Sequence, residues 1–248
     1  MDLGIAGRVA AVAAGSSGLG LGAARALAAE GCSVVICGRD QERLDRAIAA
    51  LDSESHPGRV MGVIADVSDA AGAAGFVAAA EEAAGSPIDI LVPNAGGPPP
   101  GNFESTDVDA YAAALDLNLV SIVAMCKATV PGMRERGWGR VVAITSLSVR
   151  QPMAALILSN TARAGATAFL KTMALEVAGD GVTVNTVQPG IHDTPRLDAL
   201  YTDEQKAAMR MGDADDFGSV VAFLCGEQAK FTTGVQVHVD GGAYAGLL

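Results

Sequence analysis

The sequence predicts an α/β fold: a doubly wound, mostly parallel sheet of about seven strands with helices on both faces. Seven short runs rich in Val, Ile and Ala recur along the 248 residues with helical stretches between them. Such alternation implies crossover connections that return each strand parallel to the last. A glycine-rich turn also joins the first run to the first helix, where folds of this kind receive a nucleotide.

The strand-like runs are residues 8–13, 33–37, 60–65, 88–92, 140–145, 182–187 and 235–239. Between them, residues 21–30, 41–51 and 72–84 are alanine-rich with charges to one side, the pattern of covering helices. Two longer helical regions follow, 107–136, opened by the capping-type Ser105-Thr106-Asp107, and 152–178. The cluster Gly96-Gly97-Pro98-Pro99-Pro100-Gly101 reads as a rigid loop beside the ligand crevice. No linker divides the chain, so one domain over residues 1–248 is expected.

Half of the residues are hydrophobic but only 4% are aromatic. The core is therefore built from Ala, Val, Leu and Ile, with helices close to the sheet. The net charge of −11, with no run of Lys or Arg, excludes a surface that tracks nucleic acid. Cys32, Cys37, Cys126 and Cys225 lack Cys-x-x-Cys spacing and read as reduced core residues, which suits a cytoplasmic setting. The first residues carry Asp2 and Arg8 without the apolar stretch of a signal peptide. No uncharged apolar run approaches the roughly 18 residues of a membrane span. His56 and His238 form no metal set with any Cys or carboxylate, so no metal is expected.

After the first strand comes Ala14-Gly15-Ser16-Ser17-Gly18-Leu19-Gly20, leading into a helix. Glycine at 15, 18 and 20 permits a tight turn, close approach by a ligand and close helix-to-strand contact. The N–H groups and positive end of the helix suit a pyrophosphate. The second strand ends in Gly38-Arg39-Asp40. An acid at that point would bind a ribose 2′-OH, whereas Arg39 can pair with a 2′-phosphate, which favours NADP(H) over NAD(H). An exposed Arg39 that caps the strand, or one captured by Asp40, is the structural alternative.

In order and spacing, these elements resemble the short-chain dehydrogenase/reductase family, in its 3-oxoacyl-carrier-protein-reductase-like form. The resemblance covers essentially the whole chain and adds Asp66-Val67, Asn94-Ala95-Gly96, Leu117-Asn118-Leu119, Thr145-Ser146, Pro189-Gly190 and the closing Asp240-Gly241-Gly242. It implies a Rossmann-type domain with Asp66 and Val67 at the adenine and Asn94, Ala95 and Gly96 along the cofactor crevice. Pro189, Gly190, His192 and Thr194 would lie in the loop that holds the nicotinamide carboxamide and pyrophosphate. Ala14 stands where the family usually has a threonine that braces the turn. The resemblance also implies a homo-oligomer, a dimer or a homotetramer, joined through the two long helices.

The family's catalytic set is Asn, Ser, Tyr and Lys. By matching motifs, Asn118 and Ser146 are kept, the Tyr position falls on Ser159 and the Lys position on Arg163. Residues four apart share a helix face, so Ser159 and Arg163 both point into the crevice. A tyrosine beside a lysine can exchange a proton near neutral pH; an aliphatic hydroxyl is a far weaker acid and Arg does not readily relay one. Arg163 can still hydrogen-bond the nicotinamide ribose.

Three alternatives follow from the loss of the acid. Tyr201, His192 or Asp193 supplies the proton. Or the substrate, an enone or an iminium, needs little acid, with Ser146 and Ser159 as hydrogen-bond donors to developing charge. Or the fold performs non-redox chemistry, isomerisation or dehydration, or only binds the dinucleotide. The expectation is an NADP(H)-dependent oxidoreductase acting on a small carbonyl, enone, imine or acyl substrate.

Overall fold

In the computed structural model, which describes residues 2–54, 56–198 and 200–247, the β-branched runs form β1 (Val9–Val12), β2 (Ser33–Gly38), β3 (Val60–Ile64), β4 (Ile90–Val92), β5 (Gly139–Ile144), β6 (Val182–Pro189) and β7 (Gln236–Val239). They make one sheet in the order β3-β2-β1-β4-β5-β6-β7. Every pair is parallel, with Ala11 opposite both Val35 and Leu91.

Alternate strand residues supply two cores, one per face. Ala11, Val35, Leu91, Val141 and Val184 face one way, under α3 (Ala70–Ala84), α5 (Ser121–Glu135) and α6 (Ile157–Val177). Ala10, Val34, Ile90, Val142 and Val187 face the other, under α1 (Gly18–Ala29), α2 (Gln41–Asp52) and α9 (Ala214–Cys225). Nearly continuous apolar strands are what burial on both faces requires. With so little aromatic volume, helices approach at backbone distance: a Cβ on Gly22 would come 2.0 Å from the Ala214 carbonyl oxygen, and one on Gly218 would come 2.1 Å from that of Gly22.

Three expectations at element ends are corrected. Ser105-Thr106-Asp107 does not cap the first long helix. Ser105 Oγ instead accepts from Asn102 N–H, and the helix begins at α4 (Ala110–Leu115), with Asp109 before it. The second long helix starts at Ile157, five residues later than its composition suggests. Asn160 Nδ2 donates to the Met153 carbonyl, Leu156 N–H closes a turn onto the same carbonyl, and Leu156 pairs with Gly101, which keeps the preceding residues out of the helix. The fourth strand is shortened to three residues.

Between α4 and α5, residues Asp116–Val120 form a π-helical turn, so one helical rod runs from Ala110 to Glu135. By length and composition it is apolar enough to cross a membrane. Here it covers the sheet, burying Ile122, Met125, Cys126, Val130 and Met133.

All four cysteines are buried thiols. Burial pushes Cys32 and Cys126 up to about 12 and Cys37 up to about 11, and raises Cys225 further, so none is a thiolate at neutral pH. Among the described residues no group of three or more His, Cys, Asp or Glu could hold a metal ion.

Candidate functional site

The strand order reverses between β1 and β4, and a crevice opens at the carboxyl ends of the strands there, where doubly wound sheets bind ligands. The cavity in it has a volume of about 430 Å³.

At the cofactor end the site is shaped by missing side chains. A Cβ on Gly15 would lie 2.8 Å from Ile36, and one on Gly20 would lie 2.5 Å from the Ala14 carbonyl oxygen. Gly18 has a φ of +56° and sits beneath Thr194, which joins the loop after β6 to the turn after β1. Ala14 takes a φ of +48°, rare for a residue with a Cβ. Its N–H donates to Cys37 Sγ at 3.4 Å, so a sulfur of β2 braces the turn where a threonine hydroxyl is absent.

The start of α1 fits a pyrophosphate. Ser17 makes no side-chain cap and no acid lies in the first turn, so the first N–H groups lack intrahelical partners and the positive end is unneutralised. By contrast Asp40, Asp69 and Asp213 cap α2, α3 and α9.

Farther along, a Cβ on Gly38 would meet Ser16 Oγ at 2.8 Å, so the end of β2 adjoins the turn. Arg39 is 75% exposed and lies 3.9 Å from Asp66, not Asp40, which caps α2 instead. Such an exposed pair holds little energy and leaves the guanidinium free to turn to another anion. Asp66 accepts from Ser68 N–H, and Val67 is buried in the core. Arg39, Asp66 and Val67 lie outside the main cavity, toward the β2–β3 side.

The expected cavity residues converge: Ser17, Gly18, Leu19, Asn94, Ala95, Gly96, Ser146, Ser159, Arg163, Pro189, Gly190, His192 and Thr194 all line it. Asn118 does not. It sits fully buried in the π-helical turn, where Nδ2 donates to the Gly96 carbonyl at 2.9 Å and Oδ1 has no partner. It therefore acts on the loop after β4 rather than from the cavity wall.

Ser146 Oγ accepts from Ser148 N–H at 3.1 Å, which leaves its proton available to a ligand. Arg163 NH1 donates to the carbonyls of Ile144 and Thr145 at 3.0 and 3.1 Å, and NH2 to that of Ala95 at 3.3 Å. One guanidinium thus ties the ends of β5 and β4 together. Burial, then the charge of Arg196, pushes Arg163 down to about 10, so it stays a cation at neutral pH.

Of the three candidate substitute acids, Tyr201 and His192 line the cavity, and Asp193 is exposed away from it. Burial holds His192 below its ordinary 6.5, and its ring packs edge-on against Phe217 and beside Gly212. Gly212 N–H donates to the Ile191 carbonyl at 3.0 Å and Asp193 N–H to the Gly212 carbonyl at 2.9 Å, closing the segment 192–212 at its stem. That segment carries α7 (Pro195–Asp198), whose Pro195, Arg196 and Leu197 line the cavity, and then α8 (Asp203–Ala207). Arg196, on α7, is a cavity residue that sequence reasoning missed. The only signal was its place two residues after Thr194, in the loop expected to hold the cofactor.

Sheet order, switch-point crevice and glycine-shaped turn define a Rossmann-type α/β protein of the dinucleotide-binding class. A family model described as "Enoyl-(Acyl carrier protein) reductase" matches residues 13–244. "Dehydrogenase/reductase SDR family member 4" of Oryctolagus cuniculus is 36% identical, over 96% of this chain and 94% of that protein. L-Sorbose reductase of Gluconobacter frateurii, solved with NADPH and L-sorbose, superposes with a TM-score of 0.91 at 29% identity, with complete coverage of both chains. YwfH, an NADPH-dependent reductase involved in bacilysin biosynthesis, gives 0.90 at 25%, over 98% of this chain and 100% of that one. The chain belongs to the short-chain dehydrogenase/reductase family.

Proposed function

We propose that the protein is an NADP(H)-dependent oxidoreductase whose substrate is an activated acceptor, an enone or a cyclic imine, rather than an ordinary ketone. One observation carries this reading: the two helix positions that hold the family's proton-transfer pair present a small hydroxyl, Ser159, and a guanidinium, Arg163, already engaged by three main-chain carbonyls. The solved relatives that use NADPH support the choice of cofactor, as does Arg39 at the end of β2.

The Gly15 to Gly20 turn and Thr194 would hold the pyrophosphate, Arg39 the 2′-phosphate and Asp66 the adenine. Asn94, Ala95, Gly96, Pro189 and Gly190 would line the nicotinamide end. The bound cofactor supplies a hydride. Ser146 and Ser159 donate hydrogen bonds to the oxygen on which negative charge gathers, in a site made of apolar walls where such donors are worth most. An iminium accepts hydride without a proton, and an enolate formed from an enone takes its proton from water. Neither needs the missing phenol. Buried thiols and the family's habit of assembly support a cytoplasmic homo-oligomer.

The test follows NADPH absorbance across ketones, enones and cyclic imines. Turnover of enones or imines with ketones inert is expected. Tight NADPH binding with no oxidation by any of the three would overturn the redox reading in favour of a non-redox or dinucleotide-binding role.

A further inference from the structure

The cavity is opposite in charge to the molecule around it. The chain carries 17 Lys and Arg against 28 Asp and Glu, yet among the described residues Arg163 and Arg196 line the cavity and no Asp or Glu does. Neither guanidinium has a carboxylate within ion-pair distance among the described residues. Their hydrogen bonds go to main-chain carbonyls alone, three from Arg163 and one from Arg196, to Pro98 at 2.8 Å. Two cations close enough to act on each other are thus held with carbonyl dipoles alone, while His192 is kept neutral. Partly buried charge without a counter-ion is costly, and a ligand that brings the missing negative charge removes the cost.

Arg196 is the better placed of the two to receive that charge. Its guanidinium lies against Gly97, where a Cβ would come 2.7 Å from NH2 and 3.0 Å from Nε. This contact and the Pro98 bond fix the plane of the fork and leave most of its five N–H donors unused. A fixed planar fork with free donors matches a carboxylate in two-point contact. The wall beside it, Met153, Leu156, Leu197 and Leu200, is apolar.

We propose that Arg196 is a specificity-determining residue that binds a carboxylate of the substrate, so that the acceptor is a small, largely apolar enone or cyclic imine bearing one carboxylate. The nature of the reacting group rests on the redox reading above; the anion site does not.

Binding separates the two. Calorimetry on the NADPH-saturated protein would compare levulinate, cyclohexanecarboxylate and phenylacetate, each against its primary amide. At least one acid is expected to bind roughly 10-fold or more tightly than its amide, the scale of a charge-assisted hydrogen bond. That preference disappears in Arg196→Gln and is weakened but not lost in Arg196→Lys, which keeps the charge without the fork, with NADPH affinity unchanged in both. Equal binding of every acid and amide, or a preference that survives Arg196→Gln, overturns the proposal. So does a tenfold loss of NADPH affinity in Arg196→Gln, which would assign the residue to the cofactor phosphates, or displacement of the acids by equimolar inorganic phosphate. If acids bind as expected but no carboxylated enone or cyclic imine oxidises NADPH, the redox reading falls and the anion site stands. If NADPH itself does not bind, the same titrations are read on the free protein.

Discussion

At the β1–α1 turn the groups offered to a ligand are main-chain N–H groups and the space left by absent side chains, whereas beside α6 they are hydroxyls and a guanidinium carried on side chains. The first end keeps its geometry although Ala14 replaces the family's usual threonine, because Cys37 Sγ takes the turn's N–H and Gly15 and Gly20 still clear Ile36 and the Ala14 carbonyl. On the proposed reading the second end differs in its chemistry, with Ser159 and Arg163 at the two helix positions that would carry proton transfer. Recognition built from backbone tolerates substitution around it; proton transfer built from two side chains does not.

The double change Ser159→Tyr, Arg163→Lys tests that contrast most severely. It should raise NADPH-dependent ketone reduction by about 100-fold or more, the usual contribution of a positioned acid. No gain, with NADPH affinity intact, would mean that proton donation is not what separates this site from its relatives. Gly20→Ala strikes the backbone end. Its methyl group would overlap the Ala14 carbonyl and shift the turn, so NADPH affinity should fall about 10- to 100-fold by titration, with a loss of about 1–3 kcal/mol in stability beside it. An unchanged Kd would show that the ligand does not use this turn.

Arg39→Asp reaches the far end of the crevice. It should shift the ratio of NADPH to NADH affinity about tenfold toward NADH, and equal shifts for both cofactors would show that the 2′-phosphate is held elsewhere.

The smallest expected effect belongs to His192. Burial depresses its folded-state pKa below 6.5, so its neutral ring contributes stability in full above about pH 6.5, and this is lost as pH falls toward the folded value. Replacement by Phe should flatten the fall in Tm between pH 7 and pH 5.5 by ~2 °C. An unaltered slope would place the acid sensitivity in other groups.

Strand positions were legible because a sheet covered on both faces needs nearly unbroken apolar runs, and residues 9–13 and 33–37 hold almost nothing else. The start of α6 was not. Composition alone favours helix from 152, but Gly101, more than 50 positions earlier in the chain, pairs with Leu156 in an isolated bridge that keeps it out of the helix. The π-helical turn at Asn118 left no pattern to read, since one extra residue per turn is invisible in so alanine-rich a segment. The cavity-lining residues were legible as a set because short motifs place them at strand ends, and the sheet brings strand ends together. What each does was less so. Arg163 finds its carbonyls at the end of β5 and just past β4, some 20 and 70 residues away in sequence, and Arg196 stands out only once the lack of acids around it is visible in space.

The stem that closes 192–212 sets the cover of the crevice apart from the sheet beneath it. Since Ile191 and Gly212 are already bonded to each other, the chain between them can lengthen or shorten without moving β6 or α9, and doubling such a loop costs only ~0.6 kcal/mol in closure entropy. The cover of the crevice can therefore be rewritten for a new compound while the sheet and its glycine turn stay as they are, much as one handle accepts many tool heads.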